Sequence, residues 1–237
     1  MIPFAFVAFL ATLPKWSKLS AQSMTSQVVW ERDTTEVSGR VSPDGKWLSY
    51  IDWDNGGLSV REILTGWSLK IARQGYPGKS VFSPTSDQIA FEWNNDEIRI
   101  ANLKGDSSKI VISNADLHDW SPDGKSLLVY KKHQLGLVRI SKGEFKSLIN
   151  IQEQILHARF SPDGHWIAYT SDESGQDEVY VQTFPLNGSK GKISHQGGSF
   201  PEWRRDGKEL FYVSADRQVM AASLDNQVNP ALLKEER

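Results

Sequence analysis

The chain has 237 residues, a length that all-β domains commonly reach as one unit. Its 27 basic and 29 acidic residues leave a formal net charge of −2, and no Lys/Arg block stands out, so it is not built as a polycation for nucleic acid. Cysteine is absent, which excludes disulfides and thiolate-ligated metal sites.

The first 22 residues, MIPFAFVAFLATLPKWSKLSAQ, differ from the rest. Ile2 to Leu13 is an apolar run of the length of a signal-peptide core and too short to span a bilayer as a helix, and Ala21 offers a small residue for cleavage. Residues 1–22 are therefore expected to be a signal peptide or the remnant of a membrane anchor, with a possible tether to the membrane. Next comes a free strand candidate, SQVVWER at 26–32.

From residue 41 the chain repeats itself. VSPDGKWLSY (41–50), FSPTSDQIAF (82–91), WSPDGKSLLVY (120–130) and FSPDGHWIAYT (160–170) share one text, and WRRDGKELFYV from Trp203 is a degenerate fifth copy. Pro43, Pro84, Pro122 and Pro162, with Arg205 in the fifth copy, are spaced by 41, 38, 40 and 43 residues. Pro presets φ at the second turn position and Asp-Gly accepts the conformations that follow, so each copy turns sharply. An apolar residue precedes each turn and alternation follows it, as in a hairpin. Third strands read GLSVREI, EIRIANL, GLVRI, EVYVQTF and QVMAASL; fourth strands read SLKIA, SKIVIS, FKSLI and KIS. Four short strands in a unit of roughly 40 residues is the pattern of propeller blades. The predicted fold is an all-β propeller over residues 26–224 with five four-stranded blades, followed by a polar tail at 225–237. The fifth unit lacks a fourth strand of its own. Residues 26–32 precede the first turn by the distance at which a fourth strand precedes the next repeat, so they are expected to close the ring, with PALLKE at 230–235 as the rival.

The Ser-Pro-Asp-Gly-Lys-x-Ile-Ala-Tyr register resembles the WD40-like PD40 repeats of TolB-type propellers. FSPDGHWIAYTSDESGQDEVYVQTFP followed by GGSFPEWRRDGKELFYVSAD is similar to the propeller regions of exported bacterial proteins. That resemblance implies a periplasmic or secreted module for protein interaction, or an accessory domain of a kinase or peptidase system.

Chemistry has to be sought separately, because the repeated residues build turns and packing. No kinase loop or G-x-S-x-G elbow is present, and GGSFP at 197–201 falls at a connection between units. His118, His133, His157, His165 and His195 show no metal-ligand spacing, and SPDGK lacks the D-x-D-x-D of a calcium loop, so no metal or cofactor is expected. Two residues before each repeat's Ser, the innermost strand reads Arg40, Val81, Asp119, Arg159 and, before Arg204, Glu202. Mixed charges around a narrow channel predict pairing across it. Connections between units add Tyr76, His118, His157 and Phe200. The expected ligand-binding set is Tyr76, His118, Asp119, His157, Arg159, Glu202 and Arg204. The expected function is a monomeric, non-catalytic scaffold that takes a protein or peptide at the channel mouth. The alternatives are a gating domain of a peptidase or kinase, and a glycosidase or lyase using Asp119 and Glu202, which would need carboxylates roughly 6.5–9.5 Å apart if inverting.

Overall fold

The computed structural model describes residues 39–52, 56–104, 107–150, 153–186 and 189–223. Residues 1–22, 26–32 and 225–237 lie outside them, and so do the expectations for a signal, a closing strand and a tail. The described residues form eighteen strands in five antiparallel sheets, taken up in sequence order. The first sheet is β1 (Trp47–Ile51), β2 (Gly57–Glu62) and β3 (Ser68–Arg73), with an isolated bridge from Val41 to Leu48 marking its inner edge. The second is β4 (Pro77–Phe82), β5 (Gln88–Trp93), β6 (Glu97–Asn102) and β7 (Ser108–Ser113). The third is β8 (Asp116–Trp120), β9 (Ser126–Lys131), β10 (Gln134–Arg139) and β11 (Glu144–Asn150). The fourth is β12 (Ile155–Phe160), β13 (Trp166–Ser171), β14 (Glu178–Thr183) and β15 (Lys190–Lys192). The fifth is β16 (Gly198–Trp203), β17 (Glu209–Ser214) and β18 (Val219–Ser223).

The turn chemistry is the same in three copies. Ser42 Oγ donates to Asp44 Oδ1 at 2.6 Å and accepts from Trp47 N–H at 2.9 Å, and the Gly45 N–H closes the turn on the Ser42 carbonyl. Ser121 with Asp123 and Ser161 with Asp163 repeat this. The glycines stand at φ of 71–75° in the four Asp-Gly copies, and Ser86 takes that left-handed place at 59° in the second. There Asp87 replaces the missing turn Asp, accepting from Ser83 and Thr85. In the fifth copy Arg204 stands where the others have Ser: its guanidinium donates to both oxygens of Asp206 and to Glu209.

Each hydrophobic cluster lies between consecutive sheets. Phe82, Ile89 and Phe91 meet Leu58 and Val60; Trp120 and Leu127 meet Ile98 and Ile100; Phe160 and Tyr169 meet Leu128 and Leu135; Trp203 and Tyr212 meet Val179 and Val181. The repeated rings Tyr50, Phe82, Phe91, Trp120, Phe160 and Tyr169 are all buried. The alternation expected of a half-buried strand is absent from the inner strand pairs of the first four sheets. Ser49, Ala90, Leu128 and Ala168 are as buried as their neighbours, because those strands are covered on both faces; β17 keeps the alternation, with Leu210 and Tyr212 buried and Phe211 and Val213 half-buried. The fourth strand expected at KIS (192–194) pairs two residues earlier, at Lys190–Lys192; Ile193 bonds the Val179 carbonyl beyond it and Ser194 Oγ accepts from Val179 N–H.

Candidate functional site

The innermost strands carry a shared irregularity. Their pairing with the next strand shifts register between Pro77 and Ser80, Leu117 and Asp119, Leu156 and Arg159, and Ser199 and Glu202. A bulge adds a residue and turns the strand, re-aiming the side chains beside it. In each copy it lies just before the position two residues ahead of the turn. Two bulge residues, His157 and Phe200, sit at φ of 51° and 57°. A left-handed backbone at such bulky residues costs about 1–3 kcal/mol each and clusters at functional sites. Their rings stack across two sheets, with centroids 4.1 Å apart.

Beyond the bulges lies the charged layer. Arg40 reaches Asp119 at 3.7 Å and Glu202 at 3.9 Å, and Arg159 Nε donates to Glu202 Oε2 at 3.3 Å. Pairing across mixed charges, expected from the sequence, is what these residues do. They also stitch neighbouring sheets. Asp119 Oδ2 accepts from Phe160 N–H at 2.8 Å, Arg159 Nη1 donates to the His118 carbonyl at 2.6 Å, and Trp203 Nε1 donates to the Arg159 carbonyl. Glu92, on β5, accepts from Lys79 N–H and Leu117 N–H at 3.0 and 2.7 Å. Burial pushes Asp119 up to about 6, against the pull of Arg40 and the Phe160 amide, while the charge of Glu202 adds to the rise.

His118 and His157 were expected in connecting loops, but both are strand residues. His118 is 2% exposed within β8, and its Nδ1 accepts from Ala158 N–H at 3.0 Å. That bond assigns the proton of the neutral ring to Nε2, which has no partner among the described residues. Burial holds His118 well below the ordinary imidazole value, with Lys79, His157 and Arg40 pushing the same way. His157 is held down to about 4 by burial, then by Lys79 and Arg40, and its Nδ1 is also buried without a partner. The exposed aromatics at this end are Tyr76, 70% exposed in the connection before β4, and Phe200, 56% exposed. Arg204 does not join them. It follows β16 whereas Tyr76 precedes β4, so the two lie at opposite ends of equivalent strands, and Arg204 is spent on its own turn. Lys79 was missed by the sequence reading. Its signal was available: counting four residues back from each Ser, or from Arg204 in the fifth copy, gives Ser38, Lys79, Leu117, His157 and Phe200.

No metal-holding group of three or more His, Cys, Asp or Glu occurs among the described residues. A surface recess of about 240 Å³ lies between the rims of the second and third sheets, lined by Asn95, Asp116, Tyr130 and His133 among others, and it does not include the charged layer.

No family model matches the chain. An uncharacterized protein of Agrobacterium fabrum, Atu1656, is 24% identical over 225 residues, covering 87% of this chain and 75% of that protein. An uncharacterized peptidase of Bacillus subtilis, YuxL, is 26% identical over 154 residues, which is 60% of this chain and 23% of the peptidase. Among solved structures, a putative TolB from Agrobacterium tumefaciens superposes with a TM-score of 0.71 at 22% identity, covering 88% of this chain and 83% of that one. TolB from Acinetobacter baumannii gives 0.68 at 20%, over 86% and 54%. The fold is a TolB-like β-propeller. An oligogalacturonate lyase in complex with manganese also shares the propeller, with a TM-score of 0.64 at 18% identity over 84% of this chain and 69% of the lyase. In this TolB-like propeller the two carboxylates considered for such chemistry, Asp119 and Glu202, are both engaged by Arg40, and Asp119 also caps a backbone N–H of the next sheet.

Proposed function

We propose that the chain is a non-catalytic propeller scaffold that binds a protein or peptide partner over one end of its channel, in the cell envelope. The observation that carries this reading is an asymmetric rim on a repeated frame. Turn and core positions recur from copy to copy, while the rim positions read Lys79, His157 and Phe200, with Tyr76 exposed beside them and the fully buried Leu117 at the matching place in the third copy. Identical rim residues would suit a symmetric guest; different ones suit a single irregular surface, and exposed aromatics on a rigid frame are common anchors of such contacts. The likeness to TolB structures supports a protein-binding role, and the apolar run in residues 1–22 supports export. In this reading the propeller has five blades, works as a monomer, and is closed by residues 26–32 pairing with β18. Deleting residues 1–32 should then lower the melting temperature by several degrees, and an unchanged melt argues against closure by that strand.

The test of the partner is capture from an envelope fraction by the wild type and by Tyr76→Ser/Phe200→Asn, substitutions at exposed positions. A partner retained by the wild type and lost by the double variant supports the reading; equal capture by both, or none by either, overturns it. The partial match to a peptidase favours one second reading, an accessory domain acting with a peptidase, for which the captured partner would itself be the hydrolase.

A further inference from the structure

The rim described above holds an imbalance that the deeper layer does not. Arg40, Asp119, Arg159 and Glu202 pair with one another. Lys79, one step outward on β4, has no carboxylate within ion-pair distance among the described residues, although its backbone N–H is bonded to Glu92. Beside it, two ring nitrogens are buried and unpartnered: Nε2–H of His118, a donor, and Nδ1 of His157, whose proton no bond assigns. A buried polar group left without a partner costs about 1–3 kcal/mol, so these two ring nitrogens, beside the exposed Lys79 ammonium, need a ligand more than they need a structural reason. All are nitrogen. The donors among them, His118 Nε2–H and the Lys79 ammonium, lack an oxygen acceptor, and the charge of Lys79 makes an anionic one the better match. Phe200, whose ring meets His157, and the exposed Tyr76, three residues before Lys79, supply aromatic surface at the same end.

Resting on the proposed rim-binding function, we infer that the channel mouth recognises an acidic peptide, seating one carboxylate on Lys79 beside the His157 imidazole with a neighbouring apolar or aromatic side chain on Phe200 and Tyr76. Lys79 on β4 and Arg40 act on both imidazoles, the Tyr130 ring on β9 meets His118, and Arg159 on β12 bonds the His118 carbonyl; Glu92 on β5 bonds the Leu117 N–H beside His118, Asp119 follows His118 in β8, and Glu202 on β16 bonds Arg159. Burial first, and then the Lys79 and Arg40 charges, hold His157 at about 4; a bound carboxylate opposes the charge part and so raises the affinity of that ring for a proton. Linkage then requires acidic-peptide binding to take up protons and to tighten as pH falls from 7.5 toward 5. Asp119, at about 6, loses its charge over the same interval and acts in the same direction.

The probe is a fluorescein-labelled, amidated peptide carrying two Asp-Phe pairs, followed by fluorescence anisotropy. It is compared with its Asn-Phe counterpart and with a neutral peptide ending in a free carboxylate, which separates side-chain from terminal recognition. The expected result is binding of the acidic peptide, tighter at pH 5.5 than at 7.5, weakened by salt, and about tenfold weaker in Lys79→Gln. Lys79→Glu should abolish it and turn the preference toward a Lys-Phe peptide. Equal binding of the Asp-Phe and Asn-Phe peptides, or indifference to Lys79→Gln, overturns the carboxylate site; if that binding is still lost in Phe200→Asn, the rim remains the partner site. Absence of binding by every peptide also overturns the acidic-peptide inference. The rim function itself fails only if envelope capture is unaffected by Tyr76→Ser/Phe200→Asn.

Discussion

Tyr169 offers a sharp test of the packing between the third and fourth sheets. Its side chain is fully buried, and it stacks on Tyr180 with centroids 5.8 Å apart and planes at 23°. Its hydroxyl is buried and has no hydrogen-bond partner among the described residues. The second copy carries Phe91 at the same place in the repeat, equally buried, so the position works without an oxygen. Tyr169→Phe keeps the ring and its stacking and removes only the unpaired group. Leaving such a group buried costs about 1–3 kcal/mol, so the variant should be more stable by about 1–2 kcal/mol. For a domain of this size that is a rise in Tm of about 2–8 °C. The reverse exchange, Phe91→Tyr, should cost a similar amount. Calorimetry and urea unfolding followed by tryptophan fluorescence would measure both, with an unchanged m-value showing that only stability moved. A loss of about 1 kcal/mol or more in Tyr169→Phe would mean that the hydroxyl is bonded in the native protein.

Phe160→Ala removes a ring packed against Phe184 and among the buried residues of the third and fourth sheets, and should cost about 3–5 kcal/mol in the same urea titration; a loss below about 1 kcal/mol would place the ring outside the core. Acidification should destabilise the fold between about pH 6.5 and 4, because the unfolded chain takes up protons that native His118 and His157 refuse. Asp119 opposes this, since native Asp119 binds its proton near pH 6 and the unfolded residue only near 3.8. The fall measured by urea midpoints across that interval should therefore be shallower in His157→Asn and steeper in Asp119→Asn, and identical slopes in all three proteins would contradict the assignment. Below about pH 4 the turn carboxylates add to the loss: Asp87, Asp123 and Asp206 are held under their ordinary value first by hydrogen bonds from their own turns, and their stabilisation disappears as they protonate. Far-ultraviolet circular dichroism between pH 4 and 2 would follow it.

The repeat was legible because its turn is local chemistry: Ser, Asp and Gly at fixed offsets satisfy one another within six residues, whatever the rest of the fold does. The buried rings were legible for the same reason, being pinned to the turn by register. Burial on both faces was not, since Ser49 and Ala90 are small or polar and look exposed until a second sheet covers them. The bulges left no composition mark. They come from strands bending toward a common axis, and they shift His118 and His157 from the loops where counting puts them into strands β8 and β12. Arg204 was misjudged because a charged residue in a turn looks like a free one until Asp206 and Glu209 are seen to hold it.

The stitching of the inner strands has a consequence for how such a chain can change. Neighbouring sheets are fastened near the axis by a side chain of one copy reaching the backbone of the next, as Glu92 does to Leu117, Asp119 to Phe160 and His118 to Ala158. Glu92 spans the gap between the second and third sheets, and Asp119 with His118 spans the gap between the third and fourth, so the two gaps use different residue types. A copy therefore carries the measure of its successor as well as its own strands. Units that share one repeated text are no longer interchangeable: moving one to another place in the propeller would bring a fastener of the wrong reach. The order of the copies is thus held by their joints, and the distinct rim that this order presents is inherited with it.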